Sequence, residues 1–80
     1  MNVLMLFWGG GEGGDAAATI ELTRALQARA VTVKLAAYCL SHRNEFIKRA
    51  EAAGLNEGKD FFLIEDPENL WAQTGLRRAA

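Results

Sequence analysis

The stretch of this sequence best suited to chemistry is residues 9–15, where a run of glycines ends in an aspartate. Five of the six residues from 9 to 14 are glycine, Glu12 is the exception, and Asp15 follows directly. Backbone N–H groups in such a loop, together with the N-terminus of a following helix, converge on anions such as phosphate. Asp15 is either a carboxylate that accepts a proton from a hydroxyl nucleophile or simply a helix cap.

Two known phosphate-binding patterns compete for the same glycines. Gly9, Gly11 and Gly14 match the dinucleotide fingerprint G-x-G-x-x-G, but a run this rich in glycine makes such a match nearly unavoidable. The acidic residue that should contact a ribose at the end of the second strand is missing, because Ala36–Tyr38 stand there. A nucleoside-triphosphatase loop needs Lys and then Ser or Thr after the glycines, and Asp15 and an alanine follow instead. That second pattern is excluded, and dinucleotide binding stays an open alternative.

Other reactive side chains are interpreted as structural. His42 lies at a helix start beside Arg43, which favours an exposed first-turn residue over a catalytic base. Cys39 has no evident His or Asp partner, so a buried or half-buried structural thiol is expected. A single cysteine excludes an internal disulfide and a cysteine-based zinc site. We expect neither a metal nor a cofactor.

Composition places the chain among ordinary globular domains. Its 80 residues are 50% hydrophobic and 24% charged, which predicts one small domain over residues 1–80. The net charge of -1 and the scattered basic residues give no electrostatic case for nucleic acid. The first apolar run is too short to span a bilayer and no positively charged region precedes it, so we expect a cytoplasmic chain without a membrane span.

Hydrophobic patterning in the first half predicts a strand, a helix and a second strand. The continuous apolar run Val3–Trp8 is typical of a strand covered on both faces. A helix follows from Asp15 to about Ala30, and Val31–Tyr38 is the second strand. The residues expected on the buried face of the helix are Ala18, Leu22, Ala25 and Leu26.

The second half repeats the alternation. Ser41 is expected to cap a helix from His42 to about Ala53, with Gly54 as the left-handed residue that ends it. Phe61–Ile64 is the third strand, and Asp66–Glu68 begins a last helix. The apolar face of the second helix is expected to consist of Phe46, Ile47, Ala50 and Ala53.

The order β-α-β-α-β-α predicts an α/β domain with a three-stranded parallel sheet. Right-handed crossovers most simply give the strand order 3-2-1. The first strand would then lie at an edge although it is the most apolar of the three. An exposed edge of that kind invites another strand, so we expect self-association, as a homodimer, through the first strand.

The segments from Phe7 to Asp15, from Leu22 to Arg29 and from Val31 to Val33 resemble the N-terminal, acceptor-side domain of two-domain nucleotide-sugar glycosyltransferases. The sterol and antibiotic glucosyltransferases, and the bacterial enzyme that adds N-acetylglucosamine to the lipid-linked cell-wall precursor, are the most similar branches. Those families have an apolar strand, a loop ending in Gly-Asp or Gly-Gly-His, and a helix reading approximately ALA-ALQARGHEV. Looser similarity extends over Phe46–Leu55 and Phe61–Leu70. Ala18 replaces a usual Pro, and Ala30 and Val31 replace a usual Gly-His.

The resemblance implies a half-Rossmann-like fold and a place for Asp15 next to the acceptor hydroxyl, as base or positioning group. It also implies that residues of the loop contact phosphate or acceptor oxygens, namely Gly11, Glu12, Gly13 and Gly14. Those enzymes hold the nucleotide-sugar mainly in a C-terminal domain, for which 80 residues leave no room. The expected function is therefore a fragment or split subunit, inactive alone, that needs a donor-domain partner chain. A stand-alone, natural or designed, α/β scaffold without catalysis is the alternative, and a dinucleotide-binding half-domain is the third.

Overall fold

The computed structural model describes residues 1–65, which form a small α/β unit. The elements are β1 (Asn2–Gly10), α1 (Gly14–Ala28), β2 (Thr32–Ser41), α2 (Arg43–Ala52) and β3 (Phe61–Leu63). The three strands form one sheet in the order β1-β2-β3, and both pairs of neighbours are parallel. The predicted α/β class and three-stranded parallel sheet are confirmed. The predicted last helix, from Asp66 onward, lies outside the described residues.

Both helices pack on the same face of the sheet. The chain steps from β1 to β2 to β3 in one direction, and two right-handed crossovers in one direction place their helices on one side. The side chains on that face alternate along the strands and meet Phe46 of α2, whose ring lies 5.4 Å from Phe7 and 6.1 Å from Phe61. The buried cluster that holds the layers together is Phe7, Ala16, Ile20, Leu35, Ala37, Phe46, Ala50, Leu55, Phe61 and Leu63.

The opposite face of the sheet is apolar and is not covered by α1 or α2. Because side chains alternate along a strand, the residues next to the core positions point to this second face. Leu6 is 58% exposed and Trp8 is 65% exposed there, and the Trp8 ring lies 4.4 Å from the ring of Tyr38. The expectation that β1 is covered on both sides is therefore wrong within the described residues. We call this surface the open face; its strand residues include Leu4, Leu6, Trp8, Lys34, Tyr38 and Phe62, whereas Ala36 on the same side is fully buried.

Helix α1 buries a different face from the predicted one. Ala16, Ile20 and Thr23 are its buried residues, whereas Leu22 is 52% exposed. The prediction followed the leucines, but the β-branched Ile20 and Thr23 lie one turn apart and fit the sheet. The Thr23 hydroxyl is satisfied in the core because it donates to the Thr19 carbonyl at 2.9 Å. The predicted buried face of α2 is confirmed, since Phe46 and Ala50 are fully buried and Ile47 and Ala53 pack against the same cluster.

The junction between β2 and α2 also differs from the prediction. Strand β2 continues through Ser41, which therefore is not the cap of α2. His42 takes the N-cap position instead, in the left-handed region at φ 53° and ψ 45°, and makes no side-chain cap bond. Pairing with β1 extends to Ser41, opposite Gly10, and a strand neighbour outweighs the local capping preference of a serine.

Both helices end in the same hydrogen-bonded motif with different residues at its left-handed position. In α2, the N–H of Gly54 donates to the Glu51 carbonyl, and the N–H of Leu55 donates to the Ala50 carbonyl. Gly54 adopts the predicted left-handed conformation, at φ 92°. In α1, the N–H of Ala30 donates to the Gln27 carbonyl, and the N–H of Val31 donates to the Leu26 carbonyl. Ala30 adopts φ 63° there, a conformation that its Cβ disfavours.

Replacing Ala30 by glycine should stabilise the fold because glycine adopts this conformation without a Cβ clash. We expect Ala30→Gly to raise the free energy of unfolding by about 1 kcal/mol. Gly54→Ala is the matched reverse change and should lower it by a similar amount, since a Cβ at Gly54 would have ordinary contacts with Arg24 at 3.5 Å. Urea unfolding followed by circular dichroism measures both, and a loss of stability in Ala30→Gly would contradict the assignment.

Candidate functional site

The carboxyl ends of the three parallel strands meet at one edge of the sheet, where open α/β sheets place their ligands. The glycine-rich loop, residues 9–14, follows β1 at this edge. Ser41 and His42 stand at the end of β2, and Glu65 follows β3. The structure thus brings the glycine-rich loop, which the sequence marked as a candidate site, together with His42, which the sequence did not mark as one.

Gly11 ties the loop to the junction of β2 and α2. Its N–H donates to the Ser41 carbonyl at 2.8 Å. A Cβ at Gly11 would overlap the backbone carbonyl of His42 and stand 2.9 Å from the Cβ of Phe46. Glycine is therefore required at this position by close approach of two backbones. A left-handed conformation is not the reason, because the glycines of positive φ in residues 1–65 are Gly54 and Gly58.

Arg49 holds the loop from the other side. Its guanidinium donates to the carbonyls of Gly13 and Glu12, each at 2.8 Å, and lies 3.8 Å from the carboxylate of Glu45 on its own helix. These bonds cross 36 and 37 positions of sequence, and no local pattern around Arg49 indicates them. Sequence reasoning missed this residue because only the packing of α2 against the loop brings it there.

Glu12 and His42 form a side-chain pair across the loop. A carboxylate oxygen of Glu12 contacts the Nδ1 atom of His42, and the two side chains are 44% and 62% exposed. Glu12, which the resemblance makes a candidate for phosphate or acceptor binding, contacts an imidazole in this structure. His42 was interpreted as an exposed first-turn residue, and the only signal that could have marked it is its position directly after β2.

Asp15 lies in the first turn of α1 with its side chain exposed. The N-cap residue is Gly13, which offers no side-chain cap, so the N–H groups of the exposed residues Gly14 and Asp15 have no capping partner, whereas Ala16 is fully buried. The N–H groups of Gly11 and Gly13 are already donated inside the protein, the second to Gly10 at 3.3 Å. An anion at this loop would therefore meet the first turn of α1 rather than all the glycine amides.

The remaining charged groups at the edge are paired with each other. Arg43 donates to both carboxylate oxygens of Glu65, at 2.9 Å for the Nη1 atom, and these bonds lower the pKa of the Glu65 carboxyl. Burial raises the pKa of the Cys39 thiol, Arg43 opposes that shift, and Glu12 adds to it. Cys39 is accordingly a half-buried protonated thiol, as expected for a structural cysteine.

The described residues contain neither a cluster of metal-ligating side chains nor the acidic residue that the dinucleotide pattern places at the end of β2. Residues 1–65 contain no group of three His, Cys, Asp or Glu side chains that could hold a metal ion. At the true end of β2 stand Leu40 and Ser41, so the ribose-binding acid is missing there too. No helix in this part of the chain is long and apolar enough to cross a membrane.

An open groove of about 500 Å³ runs between α1 and α2. Alanines and Ile20 form most of its lining, and Glu21 and Arg49 are its charged residues. The guanidinium of Arg49 already donates to the Gly13 carbonyl of the glycine-rich loop, so the groove has few polar groups left to bind a ligand.

Comparison with protein-family models, curated proteins and solved structures finds no match for this chain. Function must therefore be inferred from the geometry of the carboxyl edge and from the resemblance in the sequence.

The contact at Gly11 predicts a strong difference between two glycines three positions apart. Gly11→Ala should lower the free energy of unfolding by about 2 kcal/mol, because the loop must move away from the His42 carbonyl. Gly14→Ala is the matched control, since a Cβ there meets nothing within 4 Å and alanine suits a helix. Thermal unfolding of both variants provides the comparison. Equal stability of the two variants would contradict the close packing at Gly11.

Proposed function

We propose that this chain is the acceptor-side half of a nucleotide-sugar glycosyltransferase, a fragment or split subunit that is catalytically silent alone. The observation that carries the proposal is the loop pinned by Gly11 next to an uncapped N-terminus of α1. The N–H groups of the exposed residues Gly14 and Asp15 suit phosphate oxygens of an acceptor. Transfer would require a donor domain from a partner chain, because one wall of a cleft does not position the anomeric carbon of a sugar.

The conformation of Ala30 supports the resemblance to these enzymes. Their pattern has glycine at this position, and Ala30 adopts a left-handed φ of 63°. Glycine at this position of the glycosyltransferase pattern has a physical reason, because the end of α1 requires a residue that tolerates positive φ. The same motif would follow from any helix that ends this way, so the support concerns ancestry of the fold rather than activity.

The sheet supports a half-Rossmann-like identity, with the strand order 3-2-1 when counted from the β3 edge. Its β1 edge is free within the described residues, and a larger sheet of this kind would continue there. Asp15, exposed in the first turn of α1, takes the role of acceptor base or positioning group in this proposal.

A stand-alone scaffold is the second candidate, and one observation favours it. Arg49 binds two loop carbonyls and Glu12 pairs with His42, so much of the polar surface of the loop is satisfied internally. A loop held in this way also serves as a rigid turn. Two carboxylates near the loop, Glu12 and Asp15, further oppose an incoming anion by Coulomb repulsion.

A titration followed by two-dimensional amide NMR separates these candidates. We expect pyrophosphate and uridine diphosphate to shift the amide signals of Gly14 and Asp15, and the signals of Gly54 and Gly58 to stay in place as internal controls. Asp15→Asn should tighten pyrophosphate binding several-fold, because it removes a like charge from the first turn. Preferential shifts with NAD would favour the dinucleotide half-domain instead, and a well-dispersed spectrum without any loop shift would favour the scaffold.

We further propose that two copies of this chain associate through β1 and the open face. Within residues 1–65, the outer edge of β1 has no neighbouring strand, and a second strand can pair with its backbone groups. Among the described strand residues of the open face, Lys34 is the only charged one, and its Nζ atom lies 5.8 Å from the ring centre of Phe62. Two copies can therefore bring Leu6 and Trp8 together without opposing like charges.

A lysine at the centre of the open face should prevent this association. We expect the wild-type sedimentation coefficient to rise with concentration in the micromolar range and that of Trp8→Lys to remain at the monomer value. Leu22→Lys is the matched control, because Leu22 is similarly exposed but lies on α1, away from the sheet edge. A monomeric wild-type chain, or dissociation by Leu22→Lys alone, would contradict the proposed surface.

A further inference from the structure

The guanidinium of Arg49 binds two consecutive carbonyls of the glycine-rich loop. Its Nη1 atom donates to the Gly13 carbonyl and its Nη2 atom to the Glu12 carbonyl, each at 2.8 Å. Its Nε atom lies 3.8 Å from the Glu45 carboxylate, and the side chain is 34% exposed. Each nitrogen atom of the guanidinium therefore faces an oxygen partner, which restricts this planar group to one position.

The hydrogen bonds that these two peptide units make locally are longer than those from Arg49. The Gly13 carbonyl also accepts the N–H of Ala17 at 3.4 Å, and the Gly13 N–H donates to the Gly10 carbonyl at 3.3 Å. Both exceed the usual N–H to oxygen distance of about 2.7–3.2 Å. The bonds from Arg49 are within that range, and a charged donor makes such bonds about twice as strong as neutral ones. Arg49 is therefore the main support of this part of the loop.

A peptide unit whose carbonyl is held also has a fixed N–H direction, because the C=O and N–H bonds of a trans peptide point in opposite directions. The Gly13 carbonyl faces Arg49. The N–H of Gly14, which belongs to the same peptide unit, therefore points away from α2. Gly14 is exposed, and a Cβ there would meet nothing within 4 Å, so the space beside it is open. Arg49 thus determines the side on which the loop presents this donor.

The sequence of the loop does not fix the orientation of this peptide unit. Rotation of a peptide unit changes ψ of the residue before it and φ of the residue after it. Both of these residues, Gly13 and Gly14, are glycines, which adopt positive and negative φ with similar ease. A side chain 36 positions away in the sequence therefore decides the orientation that the loop itself leaves open.

We propose that Arg49 is a positioning residue for phosphate binding, because it orients the Gly13–Gly14 peptide unit so that the Gly14 N–H faces the ligand. The phosphate of an acceptor as that ligand rests on the proposed function, whereas the orientation of the peptide unit does not. Arg49 acts through the loop backbone, since its Nη atoms already donate to carbonyls. The planar fork of the guanidinium is required as well as its charge, because a lysine ammonium is a point charge on a flexible stem.

The orientation can be tested without any ligand by ¹⁵N relaxation of the Gly13 and Gly14 amides, which reports nanosecond mobility through order parameters and slower exchange through relaxation dispersion. We expect both amides to be rigid in the wild-type chain and mobile in Arg49→Lys and Arg49→Gln. Lys48→Gln is the matched control, since it removes a positive charge from the exposed neighbouring position, and it should behave as wild type. Amides as rigid in both Arg49 variants as in the wild-type chain would overturn the proposal.

The wild-type chain provides a second readout that does not depend on the folding of a variant. We expect the Nε–H group of Arg49 to have an order parameter close to that of the α2 backbone. The Nε–H group of Arg29, an exposed residue at the end of α1, should be mobile and serves as the internal reference. Equal mobility of the two arginine side chains would overturn the proposal.

Titration with pyrophosphate tests the link between this orientation and binding. We expect the dissociation constant to rise about fivefold in both Arg49→Lys and Arg49→Gln, which corresponds to one lost hydrogen bond. In Lys48→Gln it should change by less than about twofold, because a single exposed charge contributes little. Wild-type affinity in Arg49→Lys with weaker binding in Arg49→Gln would assign the effect to charge alone and overturn the positioning role.

Failure of this proposal and failure of the proposed function give different results. A wild-type chain that does not respond to pyrophosphate, with Gly13 and Gly14 mobile in Arg49→Lys, would remove the phosphate ligand and the glycosyltransferase proposal. It would leave Arg49 as the residue that orients the loop. An equal pyrophosphate response in the wild-type chain and in both Arg49 variants would retain the proposed function and remove the role of Arg49.

Discussion

The contact between the backbones of Gly11 and His42 is the constraint on which the rest of the carboxyl edge depends. It joins the loop after β1 to the junction after β2, and any side chain at Gly11 would separate them. The hydrogen bond from Gly11 to Ser41 lies in the same contact and extends the pairing of the two strands by one more residue. The start of α1, the path of the glycine-rich loop and the position of His42 all follow from this single close approach.

Satisfaction of the loop carbonyls is the second requirement of that arrangement. A loop of glycines has no side chains with which to hydrogen-bond its own backbone, so partners must come from elsewhere. Arg49 supplies them from α2, and this places a cation beside the N-terminus of α1. Glu12 and Asp15 place negative charge near the same point. The edge is therefore electrostatically mixed.

The one-sided placement of the helices has the largest consequence for the molecule as a whole. Within residues 1–65, two crossovers in the same direction build a core on one face and leave Leu6 and Trp8 exposed on the other. Aromatic contacts such as Trp8 with Tyr38 reduce the cost of that exposure but do not remove it.

Sequence alone determined the elements whose signals are local. Continuous apolar runs marked the first and third strands, and a β-branched, partly alternating segment marked the second. The glycine-rich loop marked the turn into α1, and Gly54 marked the end of α2, because each of these signals depends on residues within a few positions. Only the tertiary structure decided which face of α1 is buried and that β2 continues through Ser41. It also decided that Glu12 contacts His42 and that Arg49 donates to carbonyls of the glycine-rich loop. Those outcomes depend on a partner strand, on packing against the sheet, or on residues 30 or more positions away, and a local pattern does not encode such distant neighbours.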